Sequence, residues 1–277
     1  MTIPRILKRA FLISVLAGAA LLLLSYGTAV REPEVRSTRV AVAGWPAGTP
    51  PLRLVLISDV HVAGPDMPPA RLRRIVDRIN RLSPDIVLIA GDLVSDKRTA
   101  TRYYSHQEAV APLAALRPRI ATLAVLGNHD HWRDAAAARR ALARAGIRLL
   151  SNQAVQAGPV AVGGLDDDFT GRADLPATLA ALRPLSGPRL LLSHSPDPFP
   201  DLGSDIVLML AGHTHCGQVA PPLIGPISTM SRYGRRYACG IVREGGRTLV
   251  VSSGLGTSVL PLRLGAVPDM WLVEIGP

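Results

Sequence analysis

Five short polar blocks lie directly after apolar runs in this sequence of 277 residues, and they contain side chains that proteins use to bind divalent metal ions. Carboxylate and amide oxygens and imidazole nitrogens all ligate such ions. In chain order the blocks are Asp59-Val60-His61, Gly91-Asp92, Gly127-Asn128-His129-Asp130, Ser193-His194 and Gly212-His213-Thr214-His215. The chemistry that they indicate is that of a metal centre.

The spacing inside the blocks suits this chemistry. Side chains two apart in an extended segment point to the same side, so Asp59 and His61 can hold one cation with an oxygen and a nitrogen. The last block repeats that spacing with two histidines. Asp92 supplies one carboxylate that can bridge two cations, and the amide oxygen of Asn128 ligates without adding charge. The imidazole of His129 is left free for proton transfer.

Each block alone also has a purely structural interpretation. A strand-end aspartate often caps a turn, and a lone histidine is more often packed than ligated. The set favours the metal site, because five of the seven histidines fall inside blocks that each come at the end of a predicted strand. The predicted metal ligands are Asp59, His61, Asp92, Asn128, His194, His213 and His215.

The elements that position these blocks can be predicted from periodicity. Short apolar runs alternate with amphipathic stretches, which is typical of β/α units with buried strands. Two packed sheets flanked by helices fit the order better than one barrel, so the predicted fold class is α/β with a two-sheet β-sandwich flanked by helices. Strands are predicted at 35–42 (an edge strand), 54–57, 86–90, 120–126, 160–165, 189–193, 205–210, 248–252 and 271–275, and helices at 71–82, 108–116 and 134–145.

The N-terminal 30 residues predict a membrane segment, and residues 31–277 a single catalytic domain. Residues 10–30 form a run of 21 without a charge, preceded by Arg5, Lys8 and Arg9, and that length can span a bilayer. We expect a retained transmembrane anchor or uncleaved signal. A cleaved signal peptide and a degenerate twin-arginine signal are the alternatives. Arginines on both sides of the run leave its orientation nearly undetermined.

The amino-acid composition limits the classes of binding partner that we expect. The net charge is +10, from 31 basic and 21 acidic residues spread along the chain, which favours anionic partners in general. Only 4% of residues are aromatic, and no basic run carries interleaved stacking side chains, so nucleic acid is not expected as a partner. Two cysteines, Cys216 and Cys239, form no disulfide framework, and we expect Cys216 to be a small packed residue.

With these motifs the sequence resembles the calcineurin-like metallophosphoesterase superfamily, whose pattern runs D-x-H, GD, GNH-[DE], H and GHxH. The segments Gly212 to Gln218, Gly254 to Thr257 and Pro261 to Arg263 resemble its membrane-associated bacterial branch. The resemblance covers about residues 35–275. It implies the family's four-layer fold. We also expect a monomer in the bacterial inner membrane with an extracytoplasmic catalytic domain, the cytoplasmic face being the alternative.

The resemblance also implies roles for individual residues. Two divalent ions (manganese, iron or zinc) share Asp92; a water between them ionises to become the nucleophile, and His129 acts as an acid or as a donor to a phosphoryl oxygen. Many relatives carry an aspartate three residues after the bridging one, where this chain has Ser95, and Asp96 is the candidate substitute. The two implied ligand sets are Asp59, His61, Asp92 and His215, and Asp92, Asn128, His194 and His213.

The function implied is hydrolysis of phosphodiesters or phosphomonoesters at the membrane. A lipid-linked or nucleotide-sugar pyrophosphate of the UDP-2,3-diacylglucosamine type is one candidate substrate, and a nuclease or a non-catalytic metal-binding scaffold is the alternative function. Loops 166–169 and 232–237 are candidate substrate contacts, although both can be solvated turns. Val60, Trp132 and Met230 are expected to serve packing.

Overall fold

The computed structural model describes residues 4–277; the first three residues of the predicted membrane segment lie outside this range. Two six-stranded sheets are flanked by helices, and this confirms the predicted α/β two-sheet fold. The helices are α1 (Arg5–Val30), α2 (Pro69–Arg81), α3 (His106–Val110), α4 (Asn128–Arg144) and α5 (Leu175–Leu182), with short 3-10 turns at Ala111–Ala115, Phe199–Asp201 and His215–Gly217.

The first sheet has the strand order β1-β14-β2-β4-β6-β7. Its strands β2, β4 and β6 run parallel, so their carboxyl ends meet at one edge. β1 is an edge strand that pairs with β14, as the sequence predicts. The strands of this sheet are β1 (Glu34–Ala41), β2 (Leu52–Ile57), β4 (Ile86–Ala90), β6 (Ala121–Val125), β7 (Arg148–Leu149) and β14 (Asp269–Gly276), and a separate pair is formed by β3 (Ala63–Gly64) and β5 (Arg102–Tyr103).

The second sheet has the order β12-β13-β11-β10-β9-β8. Four of its strands, β9, β10, β11 and β13, are parallel, while β8 and β12 pair antiparallel at the two edges. Its strands are β8 (Gln153–Ala157), β9 (Val160–Gly164), β10 (Arg189–Leu192), β11 (Ile206–Ala211), β12 (Gly240–Glu244) and β13 (Arg247–Val251).

Burial on both faces explains why the central strands read as continuous apolar runs. In β2, Val55 and Ile57 pack with the helix layer, whereas Leu54 and Leu56 pack between the two sheets. Alternate side chains of a strand point to opposite faces, so a strand covered on both faces needs apolar residues at every position. The polar block that follows each strand is then the first place where the chain leaves the core.

Two predicted helices differ from the observed ones for identifiable reasons. The predicted helix 108–116 is α3 followed by a 3-10 turn, because Pro112 cannot continue the α-helical hydrogen-bond pattern. Helix α4 starts at Asn128, inside a polar block, and kinks at Asp134, whose Oδ1 accepts from the backbone of Ala137 at 2.9 Å. Asp134 therefore starts the second part of α4, which is the part that the sequence predicts.

Helix α1 stands apart from the other helices. Its mean hydropathy reaches 2.1 over 18 residues, which is long and apolar enough to cross a membrane. Among its residues only Ser25 and Ala29 are buried, and both face the rest of the chain one turn apart. The division at residue 30 into a membrane segment and a catalytic domain stays a prediction.

Candidate metal centre and active site

All seven predicted ligands come together at the facing carboxyl ends of the two sheets. Loops after β2, β4 and β6 bring Asp59, His61, Asp92 and Asn128 from the first sheet, and loops after β10 and β11 bring three histidines from the second. Ligand sites in parallel sheets lie at this end of the strands. All seven residues are buried, each with 6% or less of its surface exposed.

Three side chains from one implied ligand set surround a common point. The Nε2 atoms of His61 and His215 are 3.1 Å apart, and His215 Nε2 is 3.4 Å from Asp59 Oδ1. His61 Nε2 also lies 3.5 Å from Asp92 Oδ2. The side-chain nitrogen and oxygen atoms of these residues therefore converge on one small space.

A second group of atoms lies on the other side of Asp92. His194 Nε2 is 3.3 Å from Asp92 Oδ2 and 3.1 Å from Asn128 Oδ1. His213 Nδ1 is 3.1 Å from the same His194 nitrogen. The carboxylate oxygen Oδ2 of Asp92 is therefore within 3.5 Å of histidine nitrogens from both groups, so this carboxylate lies between them.

These distances and charges fit divalent metal ions. Two ligand atoms about 2.1 Å from one ion at a tetrahedral angle lie about 3.4 Å apart, close to the separations found here. Burial lowers the pKa of His61 and of His215 well below the ordinary value, and it also lowers that of His213, so these rings are neutral and offer lone pairs. Nitrogen and oxygen donors without a thiolate suit manganese, iron or zinc.

The pKa values of Asp92 and His194 show that the space between these two residues favours positive charge. Burial opposes ionisation of Asp92, but His194 and His129 outweigh it and hold the pKa of Asp92 well below its usual range. Burial likewise opposes protonation of His194, but Asp92 outweighs it and raises the pKa of His194 well above its usual range. A positive charge is thus stabilised between the sheets, whether a proton or a metal ion supplies it.

The backbone at the ligands is unusual. Five of the seven predicted ligands have positive φ angles, between 47° and 70°. Residues other than glycine seldom adopt this conformation, and it clusters at functional sites where surrounding structure enforces it. Gly127 illustrates the crowding, because a Cβ atom at this position would overlap the carboxylate of Asp92. Gly127 is therefore required by the close approach of two ligand loops.

His129 lies beside the cluster and has a carboxylate behind it. Its Nε2 is 4.0 Å from Asp92 Oδ2, and its Nδ1 is 2.5 Å from Asp96 Oδ1. Asp96 therefore contacts the histidine that the sequence predicts as the acid, and Ser95 does not; the Ser95 hydroxyl accepts from the backbone of Lys97 instead. Although the aspartate stands one position later than in many relatives, its carboxylate still contacts His129.

Comparison with known proteins decides the family. The family model for the calcineurin-like phosphoesterase matches residues 52–217, which contain all seven predicted ligands and His129. The chain belongs to this family. The resemblance noted from the motifs is confirmed, and with it the predicted enzyme class of metal-dependent phosphoesterases.

Similar proteins occur in bacteria and vertebrates. The uncharacterized metallophosphoesterase YkuE of Bacillus subtilis (strain 168) is 32% identical over 81% of this chain and 79% of its own length. The phosphodiesterase YaeI of Escherichia coli (strain K12) is 29% identical over 81% of this chain and 82% of its own length. A zebrafish (Danio rerio) transmembrane protein with metallophosphoesterase domain is 29% identical over 93% of this chain, which spans 61% of that relative's length.

In this phosphoesterase a cavity of about 520 Å³ opens over the cluster of predicted ligands. Asp92, Asn128 and His213 lie on its floor, and its walls are mostly apolar. Trp132 and Met230 line it with 54% and 57% of their surfaces exposed, so the expectation that they serve packing is wrong. Trp132 lies in the first part of α4 and Met230 on a loop, and at the mouth of the site a large apolar side chain need not enter the core. Val60 is fully buried, as expected.

The two loops predicted to contact substrate contact each other. Arg232 pairs with Asp168 at 3.0 Å and with Asp197 at 3.4 Å, so its charge is already neutralised within the phosphoesterase domain. Phe169 lies against His213 with ring centroids 4.7 Å apart and lines the cavity. Of these two loops, the aromatic residue is the part that reaches the site.

A disulfide connects Cys216 with Cys239, whose Cα atoms are 4.8 Å apart. The expectation that Cys216 is merely a packed residue is therefore wrong. Two cysteines 23 residues apart carry no pairing signal in sequence, and the folded chain brings them together directly after His215. The bridge closes a loop, residues 217–238, along one wall of the cavity.

Arg263 is a further residue whose position the sequence does not reveal. It is fully buried behind His215, and its guanidinium donates to the carbonyl oxygens of Ser253 at 2.7 Å and Gly256 at 2.6 Å. The backbone of Gly256 in turn donates to the Asp59 carbonyl at 2.8 Å. Arg263 thus holds the segment that supports the first ligand loop, and this explains the 254–257 and 261–263 motifs.

Proposed function

We propose that this protein hydrolyses phosphodiesters or phosphomonoesters with two divalent ions. The observation that carries the proposal is the convergence of seven buried N and O ligands at the floor of an apolar cavity. One ion is assigned to Asp59, His61, Asp92 and His215, and the other to Asp92, Asn128, His194 and His213. When bound, such ions polarise phosphoryl oxygens and lower the pKa of a coordinated water.

The chain's own residues supply positioning and proton transfer. His129 is 4.0 Å from the shared carboxylate and lines the cavity, so it can donate to a phosphoryl oxygen or protonate the departing alkoxide. Asp96 orients its ring through Nδ1. Trp132 and Phe169 cover the cluster from above and limit the access of bulk water, which strengthens the electrostatic interactions inside the site.

An ester with a long apolar group, such as a lipid-linked pyrophosphate of the UDP-2,3-diacylglucosamine type, is the substrate that we favour. The apolar walls of the cavity support this choice, because ligand sites place apolar groups against apolar lining and fix the polar group with few contacts. A polynucleotide has no such group. Hydrolysis of single-stranded nucleic acid faster than of long-chain diesters would favour the nuclease alternative.

The function is tested on the full-length protein in detergent, with bis(p-nitrophenyl) phosphate and p-nitrophenyl phosphate as diester and monoester. We expect turnover that requires added manganese, iron or zinc and falls about 100-fold or more in Asp92→Asn, because the shared carboxylate is lost. Asp85→Asn is the matched control: Asp85 is also a buried, paired aspartate, but it precedes β4, at the opposite end of that strand from Asp92. Metal-independent activity, or full activity in Asp92→Asn, would refute the proposed metal-dependent hydrolysis.

We further propose that α1 anchors the chain in the bacterial inner membrane with the site on the extracytoplasmic side. The apolar α1 supports the anchor, and relatives named transmembrane proteins agree with it. The Cys216–Cys239 disulfide supports the side, because disulfides persist in oxidising compartments and are rare in the cytosol.

Orientation is tested in a bacterial host that makes the full chain. Thiols are first blocked with a permeant reagent, and a maleimide mass tag is added before or after reduction. We expect tagging only after reduction, and degradation of the catalytic domain by protease added to intact spheroplasts. Free thiols together with a protease-protected domain would place the site in the cytoplasm.

A further inference from the structure

Two segments near the site contain no charged residue. They are residues 218–231 and 252–262, and at the chain's average of 19% charged residues they would together hold about five. Several of their large apolar side chains are exposed. We call this surface the apolar rim: Leu223, Ile224, Ile227, Met230, Val259 and Leu260.

The side chains of the rim are strongly exposed. Leu223 is fully exposed, and Val259 and Ile227 expose 70% and 68% of their surfaces. Leu223 also has a φ of 69°, a conformation in which asparagine or glycine would be favoured at a water-exposed turn. A contiguous apolar surface of this kind marks an interaction site with a protein or a membrane.

Hydrogen bonds join the two segments into one surface. The backbone N–H of Ala220 donates to the Leu264 carbonyl at 2.7 Å, and the side chain of Gln218 donates to the Leu260 carbonyl at 3.1 Å. Ile227 and Leu260 both line the cavity. The rim is therefore the outer wall of the cavity mouth.

The same surface is attached to α1. The backbone N–H of Arg263, three residues after Leu260, donates to the Ser25 carbonyl at 2.9 Å. Ser25 lies five residues before the end of the uncharged run at Val30, which is about 7.5 Å along a helix. The polar layer of a bilayer is about 5–8 Å thick on each side, so this contact lies at or below the bilayer surface when α1 crosses the membrane.

We propose that the apolar rim inserts into the lipid bilayer on the side where α1 emerges, so that the cavity mouth opens directly onto lipid. This inference rests on the proposed anchoring by α1 and identifies the bilayer's acyl region as the partner of the rim. Three residues of extended chain span at most about 11 Å, so Leu260 stays near the membrane level that Arg263 and Ser25 define. An ester with an acyl chain can then enter the cavity sideways from the leaflet.

The test uses full-length protein in vesicles of phosphatidylethanolamine and phosphatidylglycerol. The photoreactive p-benzoyl-phenylalanine replaces Leu223 or Ile224, and in the control it replaces Ser186, which is exposed before β10 at the opposite end of the second sheet. We expect lipid adducts by mass spectrometry at positions 223 and 224 and none at 186. Equal adducts at all three positions, no lipid adduct at 223 and 224, or cross-links between two copies of the chain would overturn the proposal.

A second measurement separates this inference from the proposed function. Leu223 and Ile224 do not line the cavity. The double variant Leu223→Asn/Ile224→Asn should hydrolyse bis(p-nitrophenyl) phosphate at the wild-type rate but a long-chain phosphodiester in vesicles about tenfold more slowly, from the lost burial of two side chains. Equal rates on the vesicle substrate would overturn rim insertion. If the wild-type protein hydrolysed neither substrate, the proposed function would be refuted. The lipid adducts would still show whether the rim inserts into the bilayer.

Discussion

Asp96 shows how a one-residue difference is resolved in three dimensions. The family pattern would place a carboxylate at position 95, where this chain has a serine. The loop after β4 instead presents the next side chain, and Asp96 Oδ1 reaches His129 Nδ1 at 2.5 Å. A carboxylate in this position fixes the tautomer and the orientation of the ring. Asp96 is thus a positioning residue, with its effect exerted through His129.

Replacing Asp96 should impair the proton-transfer role of His129. We expect Asp96→Asn to lower kcat on diesters about 10- to 100-fold with little change of KM. The loss should be greater for alkyl leaving groups than for p-nitrophenolate, because a poor leaving group depends more on protonation. Steady-state kinetics with a series of leaving groups measures this.

Ser95→Ala is the matched control for that variant. The Ser95 side chain is buried next to Asp96 in the chain, but its hydroxyl contacts the Lys97 backbone and not His129. Its kinetics should stay close to those of the wild type, and Asp96→Glu should recover part of the activity. A uniform loss across leaving groups in Asp96→Asn would argue that Asp96 only supports the loop.

For individual residues, the sequence predicts those features that depend on the spacing of neighbouring residues. The positions that were predicted as ligands come together, because each block directly follows a strand. The Cys216–Cys239 bridge and the buried Arg263 could not be predicted, since each depends on contacts between distant segments. Trp132 was misjudged for a related reason: its exposure depends on the cavity, which no single segment forms.

Among the elements, α4 is held to the second sheet by a polar contact. His131 on α4 lies 2.8 Å from Asp166, which follows β9, and the Ser151 hydroxyl donates to the same carboxylate at 2.5 Å. Burial opposes the charge on Asp166, but these hydrogen bonds outweigh it and lower its pKa from 3.8 to about 2. Because α4 begins at Asn128 and carries His129, this contact also restrains one wall of the site.

The depressed pKa makes a stability prediction. A carboxylate whose pKa is lower in the folded state stabilises the fold above its unfolded pKa of 3.8, and this contribution is lost as pH falls toward 2. Asp166→Asn should therefore reduce the free energy of unfolding by about 1–2 kcal/mol at pH 7. The difference from wild type should shrink between pH 4 and pH 2, as followed by thermal unfolding in detergent.

Asp77→Asn provides the comparison, because Asp77 is exposed on α2. It should change stability by less than about 0.5 kcal/mol at any of these pH values. A pH-independent loss in Asp166→Asn would mean that packing, and not the charge of the carboxylate, is responsible.

Element prediction succeeded where apolar periodicity was strong and failed where it was weak. The buried strands β2, β4, β10 and β11 were predicted because both of their faces need apolar residues. The edge strands β8 and β12 were missed. Edge strands carry polar residues that face solvent, such as Gln153 and Arg243, and their pairing is decided by neighbouring strands.

For the whole molecule, the contact between α1 and the rest of the chain connects the proposed membrane anchor with the site. Arg263 binds the Ser25 carbonyl of α1 and also supports the segment behind Asp59. The nearby Arg71 guanidinium donates to the Arg31 carbonyl at 2.6 Å, directly after the helix. These two contacts hold the helix against the domain, so the proposed anchoring by α1 would also orient the cavity mouth relative to the bilayer.

A matched pair of substitutions on α1 tests this coupling. Ala29 is fully buried against the domain, whereas Gly27 is exposed on the same helix with open space around it. Overpacking a buried contact costs about 1–3 kcal/mol, so Ala29→Leu should separate helix and domain. Its hydrolysis of a long-chain diester in vesicles should fall about tenfold at an unchanged rate on the soluble diester, and trypsin should cut faster between residues 31 and 36. Gly27→Leu adds the same side chain toward lipid and should alter neither. Equal behaviour of the two variants would show that α1 is only a tether.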